Sequence, residues 1–237
     1  IKLWNAARFV SHQLKDYKPT EGIRLELLDR WLLSNLERVT LEVTAALDTC
    51  QFNTALEKVR NFTWHQFCDS YIEAVKHRLY KPEEHGEEKK RAAQHTLYTA
   101  IYRILQLLAP ITPHLTEEIH DHMYREDMKH KSIHTSPWPA PEEEKIDEEA
   151  EKYGDLIITV IGEVRRDKAE RKTPLNTPIK KLVIYAGSKK DAHILNQARQ
   201  DIAGTCKTEE LEILPEKRSG KGREVKQYPN IGFVANY

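Results

Sequence analysis

The chain has 237 residues, of which 39% are hydrophobic and 31% are charged, with 37 basic side chains against 37 acidic ones. This length is sufficient for one large or two modest domains with a buried core. No run of about 18 apolar residues is present, which argues against a membrane-spanning segment. Cys50, Cys68 and Cys206 lie far apart in the sequence and indicate neither a disulfide framework nor a CxxC metal pair. Three reduced thiols are typical of a cytosolic protein, so we expect a cytoplasmic location.

Apolar residues spaced three and four apart predict five helices in the first 130 residues, since this spacing gives a helix one face toward a core. The predicted ranges are 3–14, 25–47, 53–80, 87–108 and 112–130. In the third range, Thr63 and Gln66 have the spacing of a capping box, which suggests that the helix restarts there. Short connections between successive helices favour an up-and-down helical bundle.

The second part of the sequence mixes helical and strand-like patterns. Pro137, Pro139 and Pro141 predict a linker after the bundle. The segments that follow are a helix at 146–171, a strand at 180–186, a helix at 189–202, a strand at 209–214 and one or two strands within 224–235. We therefore expect a mainly α chain, with a helical-bundle domain at 1–141 and, at 142–237, a long helix with a small α/β subdomain.

The neutral net charge is unusual for a domain that binds nucleic acid, because such domains are normally basic. The charges are unevenly distributed, however. Residues 142–152 contain seven acidic and two basic side chains, whereas residues 160–226 contain 16 Lys and Arg against 10 Asp and Glu. We interpret the acidic run as a solvated helix start that complements the helix dipole, and the later segment as a basic face.

No pattern indicates an autonomous active site. The sequence has no GxxxxGK[ST] or GxGxxG loop that would hold phosphate groups. Five polar residues invite a metal-site interpretation but lack HExxH-type spacing: His114, Glu117, Glu118, His120 and His122. We interpret them as side chains on a solvated helix face, and we predict no catalytic residue, cofactor or metal within this chain.

Several segments, in order along the chain, resemble the anticodon-binding region of class I aminoacyl-tRNA synthetases. They are KLWNAARFV at 2–10, LLDRWLLSNLERV at 27–39, FCDSYIEAVK at 67–76, LLAPITPHLTEEI at 107–119, SIHTSPWP at 132–139 and the segment 160–186. NAARFV and FCDSYIEAVK favour the valyl branch of this family, although Ser70 stands where many valyl sequences carry Trp. The isoleucyl and leucyl branches are alternatives. A helical protein-interaction module without RNA binding is another, and it would need an exposed apolar patch.

The resemblance implies recognition of the anticodon stem-loop, with valine tRNA as the partner. Enzymes of this class attach an amino acid to tRNA using ATP with magnesium, through HIGH-type and KMSKS-type signatures that are absent here. Lys217–Lys221 resembles the second signature only superficially, and we interpret it as a mobile basic loop. Because the chain begins at Ile1 without an initiator Met, we expect it to be a C-terminal fragment of a longer protein. We expect this fragment to be inactive alone, to be joined to the missing catalytic and editing domains, and to be monomeric.

The connectivity of the bundle predicts where tRNA binds. In an up-and-down bundle, the ends of the first and third helices meet the starts of the second and fourth at the pole opposite Ile1. We name this the distal pole and define it as residues 8–24 and 76–91. Its basic side chains offer charge to phosphates and its aromatic rings offer stacking faces to unpaired bases. The candidate tRNA-binding residues are Arg8, Phe9, Lys15, Tyr17, Lys18, Arg24, Lys76, Arg78, Tyr80 and Lys81, with Arg165 and Arg166 on the later basic segment.

Some of these residues have other interpretations. Arg8 is nearly as well explained by an ion pair with Asp29 at the seam of the bundle. Tyr17 lies in an apparent loop, where we expect it to be exposed. Trp138 lies between two prolines and is expected to pack the linker against the bundle. Other apolar residues lie on the helical stripes and are expected in the core: Leu3, Trp4, Trp31, Trp64 and Phe67.

Overall fold

The computed structural model describes residues 1–217 and 222–237, so most of the basic sequence Lys217–Lys221 lies outside the described residues. Short connections join successive helices into an up-and-down bundle, as the apolar spacing predicts. The elements are α1 (Lys2–Gln13), α2 (Leu27–Asp48), α3 (Phe52–Asn61), a π-helical segment (Phe62–Ile72), α4 (Glu73–Tyr80), α5 (Pro82–His85), α6 (Glu87–Leu108) and α7 (Pro113–Met123). Three of the predicted boundaries, the start of α7 and both ends of α6, agree with the structure to the residue.

The third predicted helix is continuous from Phe52 to Tyr80, but its middle is wound more widely than an α-helix. The expected restart at Thr63 is wrong, because this residue lies inside the helix and its buried hydroxyl donates to the Val59 carbonyl at 2.8 Å. Ser70 Oγ donates to the His65 carbonyl, five residues back, at 2.7 Å. That i to i−5 spacing matches the π-helical winding, which often accompanies functional sites.

The core of the bundle lies between α1, α2, α4, α6 and the π-helical segment. Its fully buried side chains include Val10, Leu28, Leu32, Phe67, Tyr71, Leu97 and Ile101. Trp31 and Leu3 are also buried, but Trp64 is only half-buried and Trp4 is 37% exposed, so the expectation of a core position is wrong for these two. The fifth predicted helix ends early, at Met123, because Tyr124 turns into the core and donates to the Tyr98 carbonyl at 2.7 Å.

A long helix, α8 (Glu148–Glu170), packs along α2 and joins the bundle to the rest of the chain. Asp147 caps this helix by accepting a hydrogen bond from the Ala150 amide at 2.9 Å, as the acidic run predicts. The two helices approach closely at Gly154, where a Cβ atom would lie 2.2 Å from the Trp31 ring. In the linker, Trp138 Nε1 donates to Thr44 Oγ1 of α2 at 2.9 Å, which ties the linker to the bundle.

The C-terminal part is the expected α/β unit. Its elements are β1 (Ile179–Tyr185), α9 (Lys189–Gln197), α10 (Arg199–Cys206), β2 (Thr208–Leu214), β3 (Arg223–Val225) and β4 (Tyr228–Asn236). The sheet order is β2-β1-β4-β3, with β1 parallel to β2 and the other two pairings antiparallel. A parallel pair needs a crossover connection, which α9 and α10 supply. The single helix predicted at 189–202 is two helices, because the backbone leaves helical geometry at Ala198.

The α/β unit is anchored to the bundle by α10, which packs against α4. A Cβ atom at Gly204 would lie 2.4 Å from the His77 ring, so only a glycine permits this approach. Lys168 of α8 is buried beside this contact, and its ammonium donates to the carbonyls of Leu175, Thr177 and Cys206. Within residues 1–217 and 222–237, no helix has both the length and the apolar character that crossing a membrane requires.

Candidate nucleic-acid interface

The distal pole forms as the bundle connectivity predicts. The segment after α1 bonds to the first turns of α6, where Lys90 pairs with Asp16 and the Tyr17 hydroxyl lies 3.0 Å from His95 Nδ1. The start of α2 is nearby, since Lys89 Nζ lies 3.9 Å from a carboxylate oxygen of Glu26. These contacts bring the starts of α2 and α6 to the end of α1.

An aromatic platform at the distal pole consists of Phe9, Lys76 and Tyr80. The rings of Phe9 and Tyr80 meet edge to face with centroids 6.3 Å apart, and Lys76 Nζ lies 5.7 Å from the centre of the Phe9 ring. Tyr80 is 59% exposed, whereas Phe9 is half-buried against the core. The platform therefore combines a largely exposed Tyr80 ring with a cation at the neighbouring Phe9 ring, which is an arrangement that suits stacking of an unpaired base.

The distal pole also carries exposed cations. Lys15, Lys18 and Arg24 are exposed on the connection between α1 and α2. Lys81 is exposed directly after α4, where its ammonium lies 2.6 Å from Glu84 Oε1. The connection between α1 and α2 and the end of α4 therefore both carry exposed basic side chains.

Two distal-pole residues differ from expectation. Arg8 does not pair with Asp29, because it points outward into a shallow groove between α1 and α7 that Trp4 and His122 also line. Tyr17 is half-buried rather than exposed, since its ring packs on Tyr98 with centroids 5.5 Å apart. Burial raises the pKa of Tyr17. Arg8 therefore lies apart from the aromatic platform, and Tyr17 forms a wall rather than a free stacking face.

Arg78 is withdrawn from the candidate interface because it is buried and only 1% exposed. Its guanidinium Nη1 lies 3.0 Å from Asp29 Oδ1, and its Nε donates to Asp201 Oδ1 at 2.7 Å. The Tyr71 hydroxyl donates to Asp29 at 2.7 Å, and His77 Nε2 lies 3.2 Å from Asp201. We name Asp29, Tyr71, His77, Arg78 and Asp201 the seam cluster, since it joins α2, the third helix and α10.

The seam cluster perturbs the titration of Asp201. Burial alone would raise the pKa of this carboxyl, but the attraction of Arg78 and the proximity of His77 outweigh burial and hold its pKa well below the ordinary value. Asp29 also accepts a hydrogen bond from the Glu26 amide at 2.9 Å, so it caps the start of α2 while it holds Arg78. The cluster therefore has a structural role that the basic character of Arg78 did not reveal.

The two later candidates, Arg165 and Arg166, lie in different surroundings. Arg165 is half-buried, with a guanidinium nitrogen 3.9 Å from Glu73, and it lines a cleft of about 190 Å³ that Lys76 and Lys207 also line. Arg166 is exposed and lies 3.0 Å from Glu170 and 3.8 Å from Glu163. The first arginine therefore faces the junction of the bundle with the α/β unit, and the second is matched by acidic neighbours on its own helix.

A cleft at the distal pole is lined by four residues that the sequence did not indicate: Asp16, Thr20, Arg91 and Gln94. Gln94 is only 2% exposed and lies on the face of α6 that buries Ala93 and Leu97. A glutamine on an otherwise apolar helix face is the signal that marks this position, because a buried amide needs specific partners.

Two polar residues of α7, Glu117 and His120, have local structural roles. Glu117 accepts hydrogen bonds from Ser132 Oγ at 2.8 Å and from the Ile133 amide at 3.1 Å, which holds the segment after α7. The expected solvated position is wrong for His120, which is fully buried beside Tyr102 and Tyr124, and burial lowers its pKa. In the described part of the chain, no group of three or more His, Cys, Asp or Glu residues is arranged to hold a metal ion.

Comparison with known proteins agrees with this architecture. The family model described as the anticodon-binding domain of tRNA ligase matches residues 29–184. Among the relatives of this chain, the valine-tRNA ligase of Pyrococcus furiosus is 41% identical over 215 residues, which are 90% of this chain and 24% of that protein. The valine-tRNA ligase of Methanothermobacter thermautotrophicus is 40% identical over 230 residues, which are 97% of this chain and 25% of that protein. The chain spans about a quarter of the length of these relatives, and it belongs to the anticodon-binding domain family of tRNA ligases.

Proposed function

We propose that this chain is the tRNA-recognising part of a valine-tRNA ligase and that its distal pole binds the anticodon loop. The observation that carries the proposal is the exposed Tyr80 ring, which lies against Phe9, the ring that Lys76 also contacts. An anticodon loop offers unpaired bases that stack on aromatic rings and phosphates that attract Lys and Arg. The two relatives described above are valine-tRNA ligases, which favours valine over the isoleucine and leucine alternatives.

On this proposal, the full-length enzyme attaches valine to tRNA with ATP and magnesium, and that chemistry takes place in other parts of the same polypeptide. The chain consists of two units, 1–141 and 142–237, which position the tRNA for the catalytic and editing parts of the enzyme. The full-length enzyme acts as a monomer in the cytoplasm. Valine-dependent pyrophosphate exchange measures amino-acid activation directly. We expect none above background from residues 1–237 alone, and valine-dependent exchange would contradict this expectation.

A competition experiment tests anticodon binding in the full-length protein. An RNA hairpin with the valine anticodon loop should displace labelled valine tRNA, because it contains the bases that the distal pole is proposed to bind. The same hairpin with its three anticodon bases substituted should compete at least tenfold less well. A minihelix that contains only the acceptor stem is the control for non-specific phosphate binding. Equal competition by both hairpins would contradict anticodon recognition.

A further inference from the structure

A cleft of about 210 Å³ opens at the distal pole between the segment after α1 and the first turns of α6. It is lined by Asp16, Tyr17, Lys18, Thr20, Arg91 and Gln94. Lys18 and Arg91 are exposed, Tyr17 is half-buried, and Gln94 is buried at 2% exposure. The cleft therefore has cations at its opening, an aromatic wall and a fixed amide at its base.

Hydrogen bonds fix the orientation of the Gln94 amide. Its Nε2 donates to the Gln13 carbonyl and to Asp16 Oδ1, both at 2.7 Å. Both partners accept hydrogen bonds only, so the amide nitrogen must face them and both of its protons are used. Within residues 1–217 and 222–237 no group donates to the Gln94 amide oxygen, and that oxygen is not sealed from solvent. It is an acceptor that is free to bind a ligand.

A second acceptor that lines the cleft is the exposed carboxylate of Asp16. Asp16 pairs with Lys90, and this hydrogen bond lowers the pKa of Asp16, so the carboxyl is ionised at neutral pH. The Tyr17 wall is held by its hydroxyl contact with His95 and its ring contact with Tyr98. A ligand that enters must therefore present N–H donors toward the base of the cleft, while an attached anionic group remains near Lys18 and Arg91.

We propose that this cleft receives one unstacked base of the anticodon loop that carries an exocyclic amino group, and that Gln94 Oε1 accepts a hydrogen bond from that amino group. Adenine, cytosine and guanine each carry such a donor, whereas uracil has no amino group and presents carbonyl oxygens that the cleft acceptors repel. The proposal rests on the proposed function, because it assigns one base contact to the pole that binds the anticodon. Gln94 is then a specificity-determining residue.

The test measures binding of hairpin RNAs to the full-length protein by fluorescence anisotropy. In one set, each amino-bearing anticodon base is replaced in turn by its analogue without the amino group. With the unmodified protein, we expect one analogue to weaken binding about tenfold, which is the usual range for one base contact. Gln94→Met keeps the side-chain length but removes the amide acceptor. This variant should bind the native hairpin about tenfold more weakly than the unmodified protein does. It should bind the sensitive analogue no more weakly than it binds the native hairpin.

Gln106→Met is the matched control, since Gln106 is also buried in α6 and donates to the Pro137 carbonyl at 3.1 Å, away from the cleft. It should leave the ratio between hairpins unchanged. If Gln94→Met fails to fold, the analogue series with the unmodified protein still decides the proposal.

The outcomes separate the two proposals. If removal of an amino group weakens hairpin binding at no anticodon position, while hairpins with substituted anticodons still bind weakly, the cleft proposal is overturned and the proposed function stands. If all hairpins bind the unmodified protein equally, the proposed function itself fails. An equal loss on every hairpin in Gln94→Met would assign Gln94 to structure alone.

Discussion

Arg78 and Tyr80 lie two residues apart on α4, yet they belong to different regions of the molecule. Arg78 is buried in the seam cluster between two carboxylates, whereas Tyr80 is 59% exposed on the aromatic platform. Successive residues of an α-helix are about 100° apart around the axis, so two positions along the chain are nearly opposite faces. One side of α4 therefore packs against the α/β unit, and the opposite side presents the proposed anticodon contact.

The comparison teaches that charge alone does not mark a nucleic-acid surface. The seam cluster places a cation where RNA cannot reach it, and the cation stabilises the junction that positions the distal pole. The platform has fewer charges but an open ring, which is the feature that unpaired bases bind. The two regions predict opposite responses to mutation: loss of stability at the seam cluster and loss of RNA binding at the platform.

The largest expected effect is at the seam cluster. Arg78→Ala leaves Asp29 and Asp201 buried without their partner, so it should lower the free energy of unfolding by about 3–5 kcal/mol. The change in the free energy of unfolding is measured by urea denaturation of the full-length protein, monitored through a signal from the region of the seam cluster. Lys81→Ala is the matched control on the exposed side and should leave the free energy of unfolding almost unchanged. Similar small effects for both would show that the cluster does not stabilise the fold.

The seam cluster also predicts how stability depends on pH. Because the pKa of Asp201 is depressed in the folded state, its ion pairs contribute full stability above the ordinary aspartate pKa of about 4. That contribution should be lost progressively as the pH falls below about 4. In Arg78→Ala, Asp201 is buried without its cation, which favours the protonated carboxyl. The loss of stability at acidic pH should therefore be smaller than in the unmodified protein, or become a gain. Urea midpoints measured between neutral and strongly acidic pH test this, and parallel curves for the two proteins would contradict it.

A smaller effect is expected at the outer edge of the seam. Arg165 faces the cleft with Lys76 and Lys207, whereas Arg166 is matched by acidic neighbours. If RNA phosphate reaches this cleft, Arg165→Ala should lower the slope of log Kd against log salt concentration by about one, for all tRNAs alike. Arg166→Ala is the control and should leave the slope unchanged. An unchanged slope in Arg165→Ala would limit RNA binding to the distal pole.

Most of the fold could be predicted from the sequence, because apolar spacing decides which residues of a helix face the core. The ranges of α2, α6 and α8 follow that spacing closely. The π-helical winding and the break at Ala198 could not be predicted, since both depend on packing against other elements rather than on local propensity. Trp4 shows the same limit, because it has the spacing of a core residue but lies 37% exposed in the groove between α1 and α7.

The candidate site was predictable only in part. Chain connectivity was sufficient to place the distal pole, and Phe9, Lys76 and Tyr80 come together there. The burial of Arg78 was not predictable, because its partner Asp201 is 123 residues away and lies in a helix of the α/β unit. Gln94 was missed for a similar reason, since its role depends on the carbonyl of Gln13 and the carboxylate of Asp16.

The most direct test of the central claim is the effect of Tyr80→Ala on anticodon discrimination in the full-length enzyme. The measurement is kcat/KM for charging valine tRNA with its native anticodon and with an altered middle anticodon base. Loss of one stacking contact should cost about 1–3 kcal/mol with the native tRNA and less with the altered one, so the ratio between them should shrink while Tm stays unchanged. Equal losses on both tRNAs, or no loss on the native tRNA, would contradict the assignment of the distal pole as the anticodon reader.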